Sequence, residues 1–134
     1  MSAPSYISRD TLASMLRSSN PPVVIDVRED DRIGGHIKSS VHIPAPDLRR
    51  DPSLYLKHVK GKDTVVFHCM YSQLRGPTCA VRFWYALDKA RKDGRLQSVP
   101  EVVILEGGFA QFIKAGKAHD DLIEAFDPRY HSSP

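Results

Sequence analysis

Apolar positions along this chain switch repeatedly between a helical and an extended period. Leu12 and Leu16 recur at helical spacing within residues 8–18, with Ser8 as a candidate N-cap and Asn20-Pro21-Pro22 as the stop. Residues 23–27 then form a short apolar run that suits a buried strand. Gly34-Gly35 is expected to open a turn of helix, Val41-His42-Ile43 to form a second strand, and residues 47–59 to hold a helix interrupted by turns. Asp63-Thr64-Val65-Val66-Phe67 is β-branched and aromatic, the composition of another short buried strand. A helix is expected from Gly76-Pro77 onward, because proline suits a first turn whose N–H groups have no partner. Within it Ala80, Val81, Trp84 and Leu87 are read as the core-facing side. Residues 102–105 are the last clear strand, and short helices are expected over 109–113 and 121–126. Strands alternating with helices predict an α/β fold, a mainly parallel central sheet with helices on both faces. Such sheets bind ligands at the carboxyl ends of their strands.

One strand end carries unusual chemistry. The strand over 63–67 runs into His68-Cys69-Met70-Tyr71-Ser72-Gln73-Leu74-Arg75. A loop between a strand end and a helix start aims free backbone N–H groups at one point, and the positive end of the helix dipole adds to their attraction for an anion. A cysteine held there is expected to be partly ionised, and the thiolate is the nucleophilic form. Arg75 supplies a planar fork that can take two oxygens of a tetrahedral oxyanion. The expected catalytic pair is therefore Cys69 and Arg75, with Met70, Tyr71, Ser72, Gln73, Leu74 and Arg75 as the oxyanion cradle. His68 is assigned to positioning the loop rather than to proton transfer. Ser72 has two readings, a donor to the thiolate or a brace for the loop. Asp26 lies near a strand end, where a buried carboxylate must find donors. Cys79 also has two readings, a resolving thiol for an oxidised Cys69 or a buried helical cysteine.

Four segments stand in a recognisable order: Val24-Ile25-Asp26-Val27-Arg28, Gly34-Gly35-His36-Ile37-Lys38, His68-Cys69 through Arg75-Gly76-Pro77, and Leu105-Glu106-Gly107-Gly108-Phe109. In that order and spacing the chain resembles a rhodanese-like domain. Its Gly-Gly-His-Ile and Arg-Gly-Pro elements are similar to the branch of cell-division-cycle dual-specificity phosphatases and eukaryotic arsenate reductases. The resemblance implies a single rhodanese-like domain over 1–134 with its core at about 6–116. It also implies an architectural role for Asp26 and Arg28 and a structural one for His36. His-Cys-x5-Arg is the signature of cysteine-dependent phosphatases, whereas rhodanese-type sulfurtransferases usually have a loop one residue shorter. The implied activity is a tyrosine or dual-specificity protein phosphatase acting through a cysteinyl-phosphate, with a phosphorylated protein as substrate and a cyclin-dependent kinase among its candidate partners. The alternative is a thiol-dependent arsenate reductase drawing electrons from glutathione or glutaredoxin. A thiosulfate sulfurtransferase or an inactive oxyanion-binding module ranks below both. The chain departs from the cell-cycle enzymes at Met70, where they carry a glutamate, and Glu106 is then the candidate acid. It departs again at Val27, where they carry a cysteine.

Composition changes this picture little. At 134 residues, with 41% hydrophobic and 26% charged residues, the chain has the size and make-up of one soluble domain. No apolar run approaches the roughly 20 residues that span a bilayer, and the amino terminus lacks the pattern of a secretory leader. Two cysteines suit a reducing compartment, so a cytoplasmic protein is expected, with the nucleus as the second possibility. Arg49, Arg50, Lys57, Lys60 and Lys62 either concentrate an anionic substrate or form an ordinary solvated face. The net charge of +3 is modest, and no nucleic-acid, membrane or metal-ligand motif is present, so no metal and no resident cofactor are expected.

Overall fold

In the computed structural model, which describes residues 1–131, the chain runs β1 (Ser5–Ile7), α1 (Arg9–Leu16), β2 (Val23–Asp26), β3 (His36–Ile37), β4 (Val41–His42), α2 (Ala45–Arg50), β5 (Thr64–His68), α3 (Arg75–Lys92), β6 (Glu101–Leu105), α4 (Gly108–Ile113) and β7 (Ile123–Glu124). Single 3-10 segments cover Asp30–Arg32, Pro52–Val59, Gly116–Ala118, Asp120–Leu122 and Pro128–Tyr130. Five strands form one sheet in the order β1-β6-β5-β2-β4, every pairing parallel, while β3 and β7 make a separate antiparallel pair.

Alternation along the central strands divides the interior in two, as a pleated sheet buried on both sides requires. Ile25, Val27, Val65, Phe67, Val102 and Ile104 face the helices α2 and α3, where they meet Leu48, Ala80, Phe83 and Leu87. Val24, Val66, Val103 and Leu105 face the other way, against Leu12 of α1 and Phe109 and Phe112 of α4. Ser8 caps α1 by accepting from the Thr11 N–H at 3.1 Å, as the sequence predicts.

Several expectations need correcting. Gly34-Gly35 does not begin a helix: both residues have positive φ, and the chain enters β3 directly, the helical turn lying earlier at Asp30–Arg32. Residues 121–126 are not helical either, since a 3-10 turn passes into β7, whose Ile123 pairs with Ile37. In α3 the buried face is Cys79, Ala80, Phe83, Leu87 and Ala90, and Val81 is exposed. Trp84 sits at the rim, with its indole N–H donated to the Ser2 carbonyl at 2.7 Å. Packing also continues past residue 116. Leu122 joins the second core, and Gly34 lies so close to Tyr130 that a Cβ on it would come within 2.6 Å of the tyrosine Cβ. No helix among the described residues is long and apolar enough to cross a membrane.

Candidate active site

The carboxyl ends of β2 and β5 lie side by side, with Asp26 in register with His68. The chain leaves β5 into residues 69–74 and enters α3 at Arg75. Cys69 is buried, and its Sγ accepts two backbone N–H bonds, from Ser72 at 3.2 Å and from Gly76 at 3.3 Å. Those donors come from the inside of the loop and from the first turn of α3, where helix geometry leaves N–H groups without partners. Ser72 reaches this position with φ of 53°, an uncommon backbone for a residue with a side chain. Its hydroxyl is buried with no hydrogen-bond partner among the described residues. The N–H groups of Met70, Tyr71, Gln73 and Leu74 donate no hydrogen bond to described residues. The side chains of Tyr71, Gln73 and Leu74 point into solvent. What the loop offers an anion is therefore mostly backbone.

The loop is also held from outside. Phe109 N–H donates to the Cys69 carbonyl at 3.0 Å and Ala110 N–H to the Met70 carbonyl at 2.9 Å, so the donors at the start of α4 grip the loop backbone at Cys69 and Met70. This approach needs Gly108. Its φ is +63°, and a Cβ there would lie 2.5 Å from the Met70 oxygen and 2.6 Å from that of Cys69. Glu106, two residues earlier, is exposed and follows β6 at the same end of the sheet.

Asp26, Arg28 and His68 form a sealed layer beneath the loop, each with no exposed surface. Arg28 donates to the Asp26 carboxylate from Nε at 3.0 Å and from Nη2 at 2.8 Å, and also to the Gly35 carbonyl at 2.9 Å. Its guanidinium carbon stands 4.2 Å from the centre of the Phe109 ring. Burial works to raise the Asp26 carboxyl, but the His68 ring and the Arg28 fork outweigh it and hold the group well below the usual carboxylate range. The His68 contribution counts only when that ring is charged, and burial pushes His68 below its ordinary value. At neutral pH Arg28 therefore carries the balance. The His68 Nδ1 lies 3.0 Å from the Cys69 carbonyl, which can only accept, so the neutral ring carries its proton there. Nε2 is left without a partner, 3.8 Å from Asp26 Oδ2. This geometry lets His68 fix the loop backbone, and among the described residues it makes no hydrogen bond to the sulfur.

Arg75, at the first position of α3, is engaged on both terminal nitrogens. Nη1 donates to Asp31 Oδ1 at 2.9 Å and Nη2 to Oδ2 at 2.5 Å, with Glu29 Oε1 a further 3.7 Å from Nη1. The hydrogen bond from Arg75 holds the Asp31 carboxyl below its ordinary value, against a smaller opposing effect of burial. Sequence reasoning missed this carboxylate. A signal for it exists: Glu29-Asp30-Asp31 follows directly on β2, and in a parallel sheet that end is the one carrying Cys69. Cys79 is fully buried, and burial pushes its thiol up to about 11. Among the described residues no group of three or more His, Cys, Asp or Glu side chains is placed to hold a metal ion.

Similarity to known proteins converges on this architecture. Residues 8–115 match the rhodanese-like domain. The Arabidopsis thaliana protein named dual specificity phosphatase Cdc25 is 40% identical over 114 residues, which are 84% of this chain and 75% of that protein. The rice protein named arsenate reductase 2.2 is 38% identical over 115 residues, 84% of this chain and 85% of its own length. The solved structure of Ygr203w, described as a yeast protein tyrosine phosphatase of the rhodanese family, superposes with a TM-score of 0.81 at 28% identity and covers 98% of this chain and 99% of that one. This chain belongs to the rhodanese-like family, within the group that holds the Cdc25-like phosphatases and the arsenate reductases.

Proposed function

We propose that this protein is a cysteine-dependent phosphatase that cleaves phosphate monoesters of proteins, tyrosine and threonine or serine alike, through a cysteinyl-phosphate on Cys69. The observation that carries the reading is the pair of backbone N–H groups, from Ser72 and Gly76, aimed at the Cys69 sulfur inside a loop whose N–H groups at Met70, Tyr71, Gln73 and Leu74 donate to none of the described residues. Negative charge on that sulfur is stabilised by fixed dipoles that need no rearrangement during reaction. In the first step the thiolate attacks phosphorus, the S–P bond forms, and the ester oxygen leaves and takes up a proton. In the second, water attacks phosphorus, inorganic phosphate departs, and the Cys69 thiolate returns to its two donors. Arg75 balances charge on the equatorial oxygens in both steps. Met70 stands where the cell-cycle enzymes carry an acid, and the exposed Glu106 is the group to which leaving-group protonation is assigned. A missing or poorly placed acid costs about 10²–10⁴-fold on a poor leaving group and little on an aryl phosphate.

The same cradle fits arsenate, whose geometry is close to that of phosphate, and the similarity to a protein named arsenate reductase makes this the second reading. There Cys69 would form a thiol–arsenate adduct, and glutathione or glutaredoxin would supply the two electrons that take As(V) to As(III). The deciding experiment is turnover of a fluorogenic aryl phosphate by reduced protein and by Cys69→Ser, in parallel with a glutaredoxin-coupled arsenate assay. Aryl phosphate hydrolysis abolished in Cys69→Ser supports the phosphatase. Arsenite production without any phosphate release replaces it with the reductase.

A further inference from the structure

A tetrahedral anion over Cys69 needs the Arg75 fork, yet both terminal nitrogens of that fork already hold a carboxylate. The carboxylate is not a passing surface contact. Asp31 Oδ1 also accepts the Glu29 backbone N–H at 3.0 Å, and Arg28, itself fully buried, donates from Nη1 to the Asp31 carbonyl at 3.3 Å. The turn Asp30–Arg32 is thus braced from the Asp26–Arg28 layer beneath the loop, and the bracing presents Asp31 to Arg75. Glu29, half-exposed on the same turn, adds a second negative charge 3.7 Å from Nη1.

On the reading that the loop is an oxyanion site, we infer that Asp31 is an internal competitor that occupies Arg75 as a stand-in for the substrate anion and must be displaced before catalysis. A carboxylate on a guanidinium carries one negative charge on two oxygens. A singly charged ligand exchanging with it gains little, while a doubly charged tetrahedral oxyanion brings more charge and also takes the loop N–H groups that Asp31 cannot reach. The latch weakens binding of every anion by the strength of the Arg75–Asp31 pair, so an anion that also takes the loop N–H groups still binds where one relying on Arg75 alone does not. Because Arg75 holds the Asp31 carboxyl down, the latch stays charged throughout the neutral range.

Asp31→Asn is a suitable probe, since the amide keeps the Oδ1 that accepts the Glu29 N–H and loses the charge together with the Oδ2 that accepts from Arg75 Nη2. The test measures the concentration of inorganic arsenate that half-protects Cys69 from alkylation, together with KM and kcat for an aryl phosphate. With the pair half-buried, Asp31→Asn is expected to bind arsenate about three- to tenfold more tightly and to lower KM by a similar factor, with kcat changed by less than about twofold. Asp31→Glu, which restores a carboxylate, is expected to return both constants toward wild type. Unchanged or weaker arsenate binding in Asp31→Asn, with normal protection in wild type, overturns the latch and leaves the oxyanion site standing. No protection of Cys69 by arsenate in any of the three proteins overturns the oxyanion reading and the latch with it.

Discussion

The Cys69 sulfur is served by two donors from different local structures, the Ser72 N–H within the loop and the Gly76 N–H in the first turn of α3. Its neighbour in the chain's thiol inventory, Cys79, lies in the apolar interior, where burial pushes it up to about 11. The two cysteines should therefore separate cleanly. Iodoacetamide at neutral pH is expected to label Cys69 in the native protein and to reach Cys79 only after denaturation, as peptide mass mapping can establish. Equal native labelling at both would contradict the enclosure of Cys79 in the apolar interior. Beneath them, Asp26→Ala would strand the Arg28 guanidinium without surface or counter-charge, and loss of about 3–5 kcal/mol in urea unfolding is expected. A loss under 1 kcal/mol would mean that Arg28 finds another partner. At this scale the loop that carries Cys69 and Arg75 between a strand end and a helix start was legible in the sequence, because it depends on a local spacing after a strand. Asp31 was not, because its contact with Arg75 joins residues 44 positions apart and exists only once β2 and β5 are neighbours.

Among the elements, the short helix α4 works as a clamp on the active loop. Its first N–H groups bond the carbonyls of Cys69 and Met70, and Gly108 is the residue that lets the two backbones meet. Gly108→Ala adds one methyl group where two carbonyl oxygens already stand, so the loop or α4 must shift. Aryl phosphate turnover is expected to fall by tenfold or more, with the melting temperature lowered by several degrees. Near-wild-type values in both measurements would show that α4 does not set the loop. The sequence displayed Gly107-Gly108-Phe109 as a motif but gave no physical reason for it, since a close approach is a property of two segments. The long periodic elements were readable, and α1, β2, β5 and β6 lie where the pattern puts them. The misses were short or ambiguous. β1 and β7 have two or three residues, little burial and no alternation, and are strands because a partner strand offers its edge. In α3 the spacing puts Trp84 on the core side, and the sheet beneath takes Phe83 instead, whose ring centre lies 5.2 Å from that of Phe67.

For the whole molecule, the sheet is sandwiched between two apolar layers, and the only fully buried carboxylate and guanidinium among the described residues, Asp26 and Arg28, sit at the Cys69 end of it. This ties stability to pH. His68 is pushed by burial below its ordinary 6.5, so the unfolded chain binds a proton that the folded one resists. Stability from that group is complete above pH 6.5 and falls as pH drops below it, at up to about 1.4 kcal/mol per pH unit. Asp26 and Asp31, held below 3.8, add a second loss as pH falls through that value. Urea midpoints measured from pH 8 to pH 3 should show a plateau followed by a decline beginning near pH 6.5. A midpoint that rises between pH 6.5 and pH 5 would contradict the buried neutral His68. The parallel α/β class and the helices on both faces followed from the alternation of patterns alone. The packing of residues 122–131 against Gly34, Gly35 and Phe109 did not, because no periodic signal marks a segment that serves as a cover.

On the proposed mechanism the phosphoryl group of a phosphate ester is transferred to the Cys69 sulfur while the ester oxygen departs. The most direct measurement is rapid acid quench of the reduced protein during turnover of an aryl phosphate, followed by intact mass and peptide mapping. A phosphate adduct is expected on the peptide carrying Cys69, formed in a burst with the released phenol and absent in Cys69→Ser. Steady hydrolysis with no adduct on that peptide, or with turnover retained in Cys69→Ser, would contradict that mechanism.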